Sequence, residues 1–217
     1  MSKDTHMTKH IIFDLDGTLI DSMPVWRNTG KRYLESHNIP IPPNLLSVMR
    51  KQTLPQTAEF FRQELGATQS VREICDEVIS YVADQYAHSI PLKPFVKEFL
   101  EMEKNKGTKM CILTASEADY IHLALNRLEL LPYFEFVATC TEVGASKDSP
   151  KVFQMVMERL GGTLQDTVVF EDAYYAIKSA KEGGFTVYAI ADPTACSEKE
   201  VIATTADRYI RSYEELL

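Results

Sequence analysis

The feature that most constrains this chain is a series of five short, uninterrupted apolar runs, most of them separated by stretches of helical periodicity. The runs cover residues 10–13, 109–113, 134–139, 167–170 and 185–190. Continuous apolar runs, unlike alternating ones, are typical of strands buried on both faces of a parallel sheet. Helical patterns at 94–106, 117–129, 149–160 and 173–182 complete βαβ units. The sequence therefore predicts an α/β fold with a parallel sheet.

Residues 21–90 interrupt this alternation. They contain no convincing strand pattern, only helical patterns at 25–36, 56–65 and 71–87. Prolines punctuate the first gap and close the segment at Pro91 and Pro94. We predict a helical cap domain over residues 21–90, inserted after the first strand into a core domain of residues 1–20 and 91–217.

Composition and charge exclude several classes of protein. The chain has 217 residues, a formal charge of −8 and a pI of about 5.2, which argues against a nucleic-acid partner. No stretch approaches the roughly 20 apolar residues that a membrane-spanning helix needs. The four cysteines show neither zinc-site nor disulfide-framework spacing. We expect a cytoplasmic protein without a membrane or nucleic-acid partner, either a monomer or a weak dimer.

Polar residues follow three of the apolar runs at the point where each run ends. In open α/β sheets, ligands bind outside the carboxyl ends of the strands. Any one such group could be a turn, because Asp and Thr are common turn residues. Three together indicate a site for phosphate chemistry. The residues are Asp14 and Asp16, Thr114 and Ser116, and Glu171 and Asp172.

These residue types suit the cleavage of a phosphate ester. An anionic ester repels a carboxylate nucleophile, and a divalent cation held by hard oxygen ligands removes that repulsion. Asp14 and Asp172 can supply two ligands to Mg²⁺, with a backbone carbonyl at or near Asp16 as a third. Asp14 can then attack phosphorus and form an aspartyl-phosphate. Asp16 is placed to protonate the leaving oxygen and later to deprotonate water.

Four segments, in this order, resemble the motifs of the haloacid dehalogenase superfamily, close to its phosphatases and β-phosphoglucomutases. The segments are 14–18 (DLDGT), 112–116 (ILTAS), 147–153 (KDSPKVF) and 169–173 (VFEDA). The resemblance spans nearly the whole chain. It implies a Rossmann-like core with a helical cap inserted after the first motif, and a Mg²⁺-dependent enzyme that acts on a small phosphorylated substrate.

The resemblance also implies roles for individual residues. Asp14 is the expected nucleophile and Asp16 the expected acid and base. Lys147 and the second motif (Thr114, Ala115 and Ser116) are expected to bind the substrate phosphate. The expected metal ligands are Asp14, Asp16, Asp172 and Glu171, and direct binding by Glu171 is left open. The sequence departs from the family pattern at three positions, namely Ser146, Asp148 and Ala176.

We predict a phosphatase of a small phosphorylated metabolite, with a sugar phosphate as the default substrate. A phosphosugar mutase is the alternative, but those enzymes carry a gating histidine where this chain has Trp26, which is otherwise expected to pack within the cap. A non-catalytic binding protein would be expected to lose the nucleophile or the metal acids, and both are present. Phosphonatases use a cap lysine, for which Lys51 is conceivable. Arg50, Lys51 and Gln56 lie near the expected cap loop, either as surface residues or as substrate contacts.

Overall fold

A six-stranded, all-parallel sheet forms the centre of the computed structural model, which describes residues 8–49 and 52–217. The strand order is β3-β2-β1-β4-β5-β6. The chain adds β2 and β3 on one side of β1 and then β4, β5 and β6 on the other side, so the strand order reverses between β1 and β4. The strands are β1 His10–Phe13, β2 Lys109–Thr114, β3 Phe136–Thr139, β4 Thr167–Glu171, β5 Thr186–Ile190 and β6 Arg208–Ile210. This reversal is where open α/β sheets form their ligand crevice.

Ten α-helices accompany the sheet within the described part of the chain. They are α1 Met23–Ser36, α2 Leu45–Met49, α3 Leu54–Leu65, α4 Val71–His88, α5 Val96–Asn105, α6 Ala118–Arg127, α7 Cys140–Val143, α8 Pro150–Leu160, α9 Tyr174–Glu182 and α10 Lys199–Thr205. Short 3₁₀ helices cover Leu131–Tyr133, Pro193–Glu198 and Tyr213–Leu216. Among the described residues, no helix is both long and apolar enough to cross a membrane.

Helices cover both faces of the sheet, as the continuous apolar runs predict. In β1, Ile11 and Phe13 belong to the hydrophobic cluster that includes α5 and α6, whereas Ile12 belongs to the cluster that includes α8 and α9. Ile12 also pairs in register with Cys111 of β2 and Val169 of β4. The predicted α/β, Rossmann-like parallel sheet is confirmed.

All five predicted strands are present, and a sixth, β6, pairs with β5. Its three residues are too short for a clear pattern, and its first residue, Arg208, is exposed. The helices α2 and α7, which have five and four residues, are too short for a helical period to emerge from the sequence.

In residues 21–49 and 52–90, the structure has four helices and no strand, as the absence of strand patterns predicts. Eight buried residues of this segment make a hydrophobic cluster of their own, namely Tyr33, Leu34, Leu45, Ala58, Phe61, Ala67, Ile74 and Val78. The second half of α4 packs elsewhere. Val82 and Tyr86 belong to the hydrophobic cluster that contains Ile11 and Phe13 on one face of the sheet. α4 thus bridges the two clusters, and the division of the chain at residues 21 and 90 stays a prediction.

The chain leaves and re-enters the sheet region side by side. Ile20 and Leu92 form an isolated antiparallel bridge. Next to it, the Asp21 N–H donates to the Pro91 carbonyl at 2.9 Å, and the Lys93 N–H donates to the Leu19 carbonyl at 2.9 Å. The helical segment is therefore joined to the core through two adjacent connections.

Candidate active site

Three neighbouring strands deliver the predicted site residues to one edge of the sheet. β1 lies between β2 and β4, and the three strands run in the same direction. Asp14 directly follows β1, Thr114 ends β2 and Glu171 ends β4. The structure thus brings together the residues that the sequence places far apart.

Three buried carboxylates meet at this edge. Asp14, Glu171 and Asp172 each offer an oxygen that lies within 4.8 Å of the others. Their exposed fractions are 7%, 1% and 6%. Gly17 makes the approach of Asp172 possible, because a Cβ at residue 17 would lie 2.3 Å from Asp172 Oδ2. Gly17 also has φ +84°, a conformation that favours glycine.

This cluster suits a hard divalent cation. Burial, and next the charge of Asp14, raise the pKa of both the Glu171 and the Asp172 carboxyls above the ordinary value. Asp14 Oδ2 and Glu171 Oε2 are buried without a hydrogen-bond partner among the described residues. Buried carboxylate oxygens without partners are unfavourable, and oxygen-rich acidic sites are those that Mg²⁺ occupies. The residues present fit the predicted metal.

Lys147 lies against the same acids. Its Nζ donates to Asp14 Oδ1 and lies 3.6 Å from Glu171 Oε2, and only 2% of its side chain is exposed. Burial alone would lower the pKa of this ammonium group, but the carboxylates of Asp14 and Glu171 outweigh it and raise the pKa. The lysine is therefore a fixed positive charge beside Asp14.

The loop around Lys147 is built without the glycine and proline of the family pattern. Ser146 Oγ donates to the Asp148 carboxylate, which closes the loop on its exposed side. Ser149 then caps α8, with Pro150 as the first helical residue. These local bonds keep Lys147 directed toward Asp14 despite the two substitutions.

Asp16 lies in a different environment, made of hydroxyl groups. Its Oδ1 accepts hydrogen bonds from Ser22 Oγ at 2.6 Å and from Tyr86 Oη. Its Oδ2 accepts from Ser116 Oγ at 2.7 Å and from Thr114 Oγ1 at 3.4 Å. The Asp16 carboxylate is not part of the acidic cluster found among the described residues, and both of its oxygens accept hydrogen bonds from hydroxyl groups. The metal ligand predicted at Asp16 stays a prediction, with a backbone carbonyl near Asp16 as the form that leaves these hydrogen bonds intact.

The surroundings of Asp16 act on its pKa in opposite directions. Asp16 is partly exposed at the cleft, yet desolvation by the surrounding protein is the largest influence and raises the pKa, followed by the charge of Asp14. The hydrogen bonds from Ser22, Tyr86 and Ser116 lower it. The net effect is a raised pKa, which suits a carboxyl that must carry a proton.

Two site residues were not predicted from the sequence. Ser22 ends the outgoing connection, and Tyr86 comes from α4, 70 residues from Asp16 along the chain. Trp26, predicted to pack within the cap, donates from Nε1 to Tyr86 Oη at 3.0 Å. Nothing in the helical pattern of α4 distinguishes Tyr86 from a packing residue, so only the three-dimensional structure reveals its contact with Asp16.

The remaining predicted residues lie in varied places. Ala115 is exposed between Thr114 and Ser116, and the Ser116 N–H donates to Thr114 Oγ1 at 3.0 Å. Gln56 is exposed and accepts a hydrogen bond from the Thr53 N–H at 2.8 Å, as part of the N-terminal capping box of α3. Arg50 and Lys51 lie outside the described residues.

Comparison with known proteins places these observations in a family. Residues 11–190 match the family model described as haloacid dehalogenase-like hydrolase. A phosphorylated carbohydrates phosphatase from Thermotoga maritima is 27% identical over 202 residues, which cover 89% of this chain and 92% of the relative. A validoxylamine A 7′-phosphate phosphatase from Streptomyces hygroscopicus subsp. limoneus is 28% identical over 201 residues, covering 90% and 93%.

Solved structures share the fold. A crystal structure from Thermotoga maritima, provisionally named a β-phosphoglucomutase, superimposes with a TM-score of 0.80 at 24% identity and covers 94% of both chains. At that level of identity the likeness concerns the fold. The family match extends from β1 to the end of β5 and includes all four motifs on which the sequence prediction rests. The chain belongs to the haloacid dehalogenase-like hydrolases.

Proposed function

We propose that this protein is a magnesium-dependent phosphatase that hydrolyses a small phosphorylated metabolite, in the first instance a sugar phosphate, through an aspartyl-phosphate on Asp14. One observation carries the proposal: two aspartates separated by a single residue occupy opposite environments. Asp14 lies between Lys147 and two buried acids, whereas Asp16 is surrounded by hydroxyl groups. Such a division suits one carboxylate that attacks and another that transfers protons.

The metal ligands in this proposal are Asp14, Asp172 and a backbone carbonyl at or near Asp16, with Glu171 as a further candidate. The unpartnered Asp14 Oδ2 and the raised pKa of Asp172 support this assignment. When bound, Mg²⁺ supplies positive charge that offsets the repulsion between the carboxylate nucleophile and the phosphate oxygens. Lys147 contributes a second positive charge from the side of Asp14 Oδ1.

The protein's own residues carry the two chemical steps. In the first, a carboxylate oxygen of Asp14 bonds to phosphorus, the bond from phosphorus to the leaving oxygen breaks, and Asp16 gives that oxygen a proton. In the second, Asp16 takes a proton from water as the water oxygen bonds to phosphorus and Asp14 is released. Thr114 and Lys147 bind the phosphate oxygens, together with the exposed loop at Ala115 and Ser116.

We further propose that residues 21–90 act as a cap that covers the site and selects the leaving group. Their separate hydrophobic cluster and their two adjacent connections support this role. The return connection is anchored, because Lys93 Nζ donates to Asp192 Oδ2 at 2.8 Å beyond the end of β5. Substitutions test the cap better than a deletion. A deletion would also remove Val82 and Tyr86 from the hydrophobic cluster that packs on one face of the sheet with Ile11 and Phe13.

Transfer to water rather than to a second sugar hydroxyl is the preferred outcome. Trp26 stands at the position where the resemblance to the mutases implies a gating histidine. An indole N–H donates one hydrogen bond but cannot exchange a proton as imidazole does. The Trp26 N–H is already bound to Tyr86, which supports a site without a histidine gate. The names of the two relatives, both phosphatases, point in the same direction.

The test combines metal dependence with the fate of the phosphoryl group. The protein should hydrolyse 4-nitrophenyl phosphate with Mg²⁺, lose that activity after exhaustive chelation and regain it when Mg²⁺ is restored. Incubation with β-glucose 1-phosphate and a trace of the 1,6-bisphosphate should then give free phosphate. Rapid formation of glucose 6-phosphate with little phosphate released would favour the mutase, and full activity after chelation would refute the role of the metal.

A further inference from the structure

We propose that Tyr86 is a positioning residue for Asp16, and that Trp26 in turn orients the Tyr86 hydroxyl. The inference rests on the proposed function, in which Asp16 is the acid and base. It adds two residues from the helical segment to the machinery of that function. Neither lies in any of the four motifs from which the site was predicted.

The contact joins two distant parts of the chain. Tyr86 lies near the end of α4 and is fully buried. Its Oη donates to Asp16 Oδ1, in the loop that follows β1. The same Oη accepts a hydrogen bond from Trp26 Nε1 of α1 at 3.0 Å. A chain of two hydrogen bonds therefore runs from Trp26 through Tyr86 to Asp16.

The donors that these groups carry fix the direction of the two hydrogen bonds. An indole N–H can only donate, and a phenol carries one proton to donate. When Trp26 occupies an acceptor position on Tyr86 Oη, the phenolic proton is free to point at Asp16. Burial, and next the charge of Asp16, raise the pKa of Tyr86 far above its ordinary value, so the phenol keeps this proton.

The Tyr86 ring and backbone are held by the core as well as by α4. Its ring packs edge-on against Tyr120 of α6, with the ring centroids 4.9 Å apart. Arg127, also on α6, donates from both Nε and Nη2 to the Tyr86 carbonyl at 3.2 Å, and from Nη2 to the Ile90 carbonyl at 2.5 Å. Tyr86 is therefore fixed relative to the sheet, although it belongs to the helical segment.

The two oxygens of Asp16 consequently differ in what they can do. Ser22 and Tyr86 hold Oδ1, whereas Oδ2 faces Thr114 and Ser116. Those two residues belong to the motif that is proposed to bind the phosphate. We assign Oδ2 as the oxygen that transfers the proton, with Oδ1 as the anchored one. Tyr86 thus sets the orientation in which Oδ2 reaches the leaving oxygen.

The test measures how strongly the reaction depends on the leaving group. Asp16 matters most when the leaving oxygen is basic, so a misplaced Asp16 should slow phenyl phosphate more than 4-nitrophenyl phosphate. For Tyr86→Phe we expect kcat/KM to fall about 10- to 100-fold with phenyl phosphate and only about two- to threefold with 4-nitrophenyl phosphate. A general loss of packing would lower both values by the same factor.

A matched control removes an equivalent hydroxyl elsewhere in the helical segment. Tyr33 is also buried, and its Oη donates to Gln69 Oε1 at 2.7 Å, away from Asp16. Tyr33→Phe should leave the ratio of the two kcat/KM values at its wild-type value. Trp26→Phe should change the ratio less than Tyr86→Phe does, and should not change it further in the Tyr86→Phe background, because Trp26 acts through that hydroxyl.

Each outcome decides a separate part of the inference. An unchanged ratio in an active, folded Tyr86→Phe protein would refute the positioning role and leave the proposed function standing. Equal effects of Trp26→Phe in both backgrounds would refute the orienting role of Trp26 alone. A wild-type protein that hydrolyses neither ester with Mg²⁺ would refute the proposed function and this inference with it. If Tyr86→Phe does not fold, Trp26→Phe carries the same leaving-group test through the same hydroxyl.

Discussion

The surroundings of Asp14 and Asp16 differ in almost every respect, although only Leu15 separates the two residues. Asp14 has a lysine ammonium on one carboxylate oxygen and lies beside two further buried acids. Asp16 accepts hydrogen bonds from four hydroxyl groups and has no carboxylate or ammonium partner among the described residues. Two carboxylates that lie two residues apart in one loop therefore enter separate environments.

This difference teaches that the division of labour between the two aspartates comes from the elements around them. The acidic environment is supplied by β4 and by the loop that precedes α8. The hydroxyl environment is supplied by the end of β2, by the outgoing connection and by α4. Substitution of a residue in one environment should therefore affect one aspartate and leave the other unchanged.

The largest effect is expected for Asp14→Asn. An amide cannot act as the nucleophile, so turnover should fall by about four orders of magnitude or more. Steady-state hydrolysis of 4-nitrophenyl phosphate with Mg²⁺ measures this. Turnover close to the wild-type value would show that Asp14 forms no covalent bond to phosphorus.

Asp16→Asn should cost less and in a different way. Loss of the acid and base should lower kcat about 10²- to 10⁴-fold. With 4-nitrophenyl phosphate, whose leaving group needs little protonation, a stopped-flow burst of nitrophenolate should survive because the second step is slowed more than the first. The absence of a burst together with a slow steady state would place the loss in the first step and contradict this division of roles.

Gly17→Ala should disturb the acidic environment selectively. The added methyl group would meet Asp172 Oδ2 at 2.3 Å, and the backbone would be strained at φ +84°. We expect the Mg²⁺ concentration for half-maximal activity to rise about 10- to 100-fold, as for other changes that displace metal ligands. Metal titrations of activity measure it. An unchanged requirement for Mg²⁺ would argue against Asp172 as a ligand.

The smallest effect is expected for Ser22→Ala, which removes one hydrogen bond to Asp16 Oδ1. A decrease in kcat of about 3- to 10-fold corresponds to one hydrogen bond of ordinary strength, with no change in the Mg²⁺ requirement. Ser36→Ala is the matched control, because that hydroxyl donates to the Tyr33 carbonyl within α1. A changed Mg²⁺ requirement in Ser22→Ala would show that the two environments are not independent.

The sequence predicts the sheet edge better than it predicts the hydroxyl environment. Continuous apolar runs mark β1, β2 and β4, and polar residues at their ends are expected to meet because parallel strands end at one edge. Only the resemblance to a family singles out Lys147, since a single lysine in a loop carries no pattern.

The contact between Tyr86 and Asp16 could not be predicted in the same way. α4 has a helical apolar pattern along its whole length, yet Val78 packs with the helical segment and Val82 with the sheet. The pattern defines which face is buried but not which neighbour buries it. The hydrogen bond of Trp26 could not be predicted for the same reason, because it depends on where Tyr86 lies.

The central claim is a covalent bond between Asp14 and phosphorus, and mapping the phosphorylated residue tests it most directly. Asp16→Asn protein mixed with 4-nitrophenyl phosphate and Mg²⁺ would be quenched in acid, digested and analysed by mass spectrometry. We predict a phosphoryl group on the peptide that contains Asp14, and its removal by hydroxylamine, to which acyl phosphates are sensitive. A phosphoryl group on another residue, or none at all while wild-type protein turns over, would contradict the account.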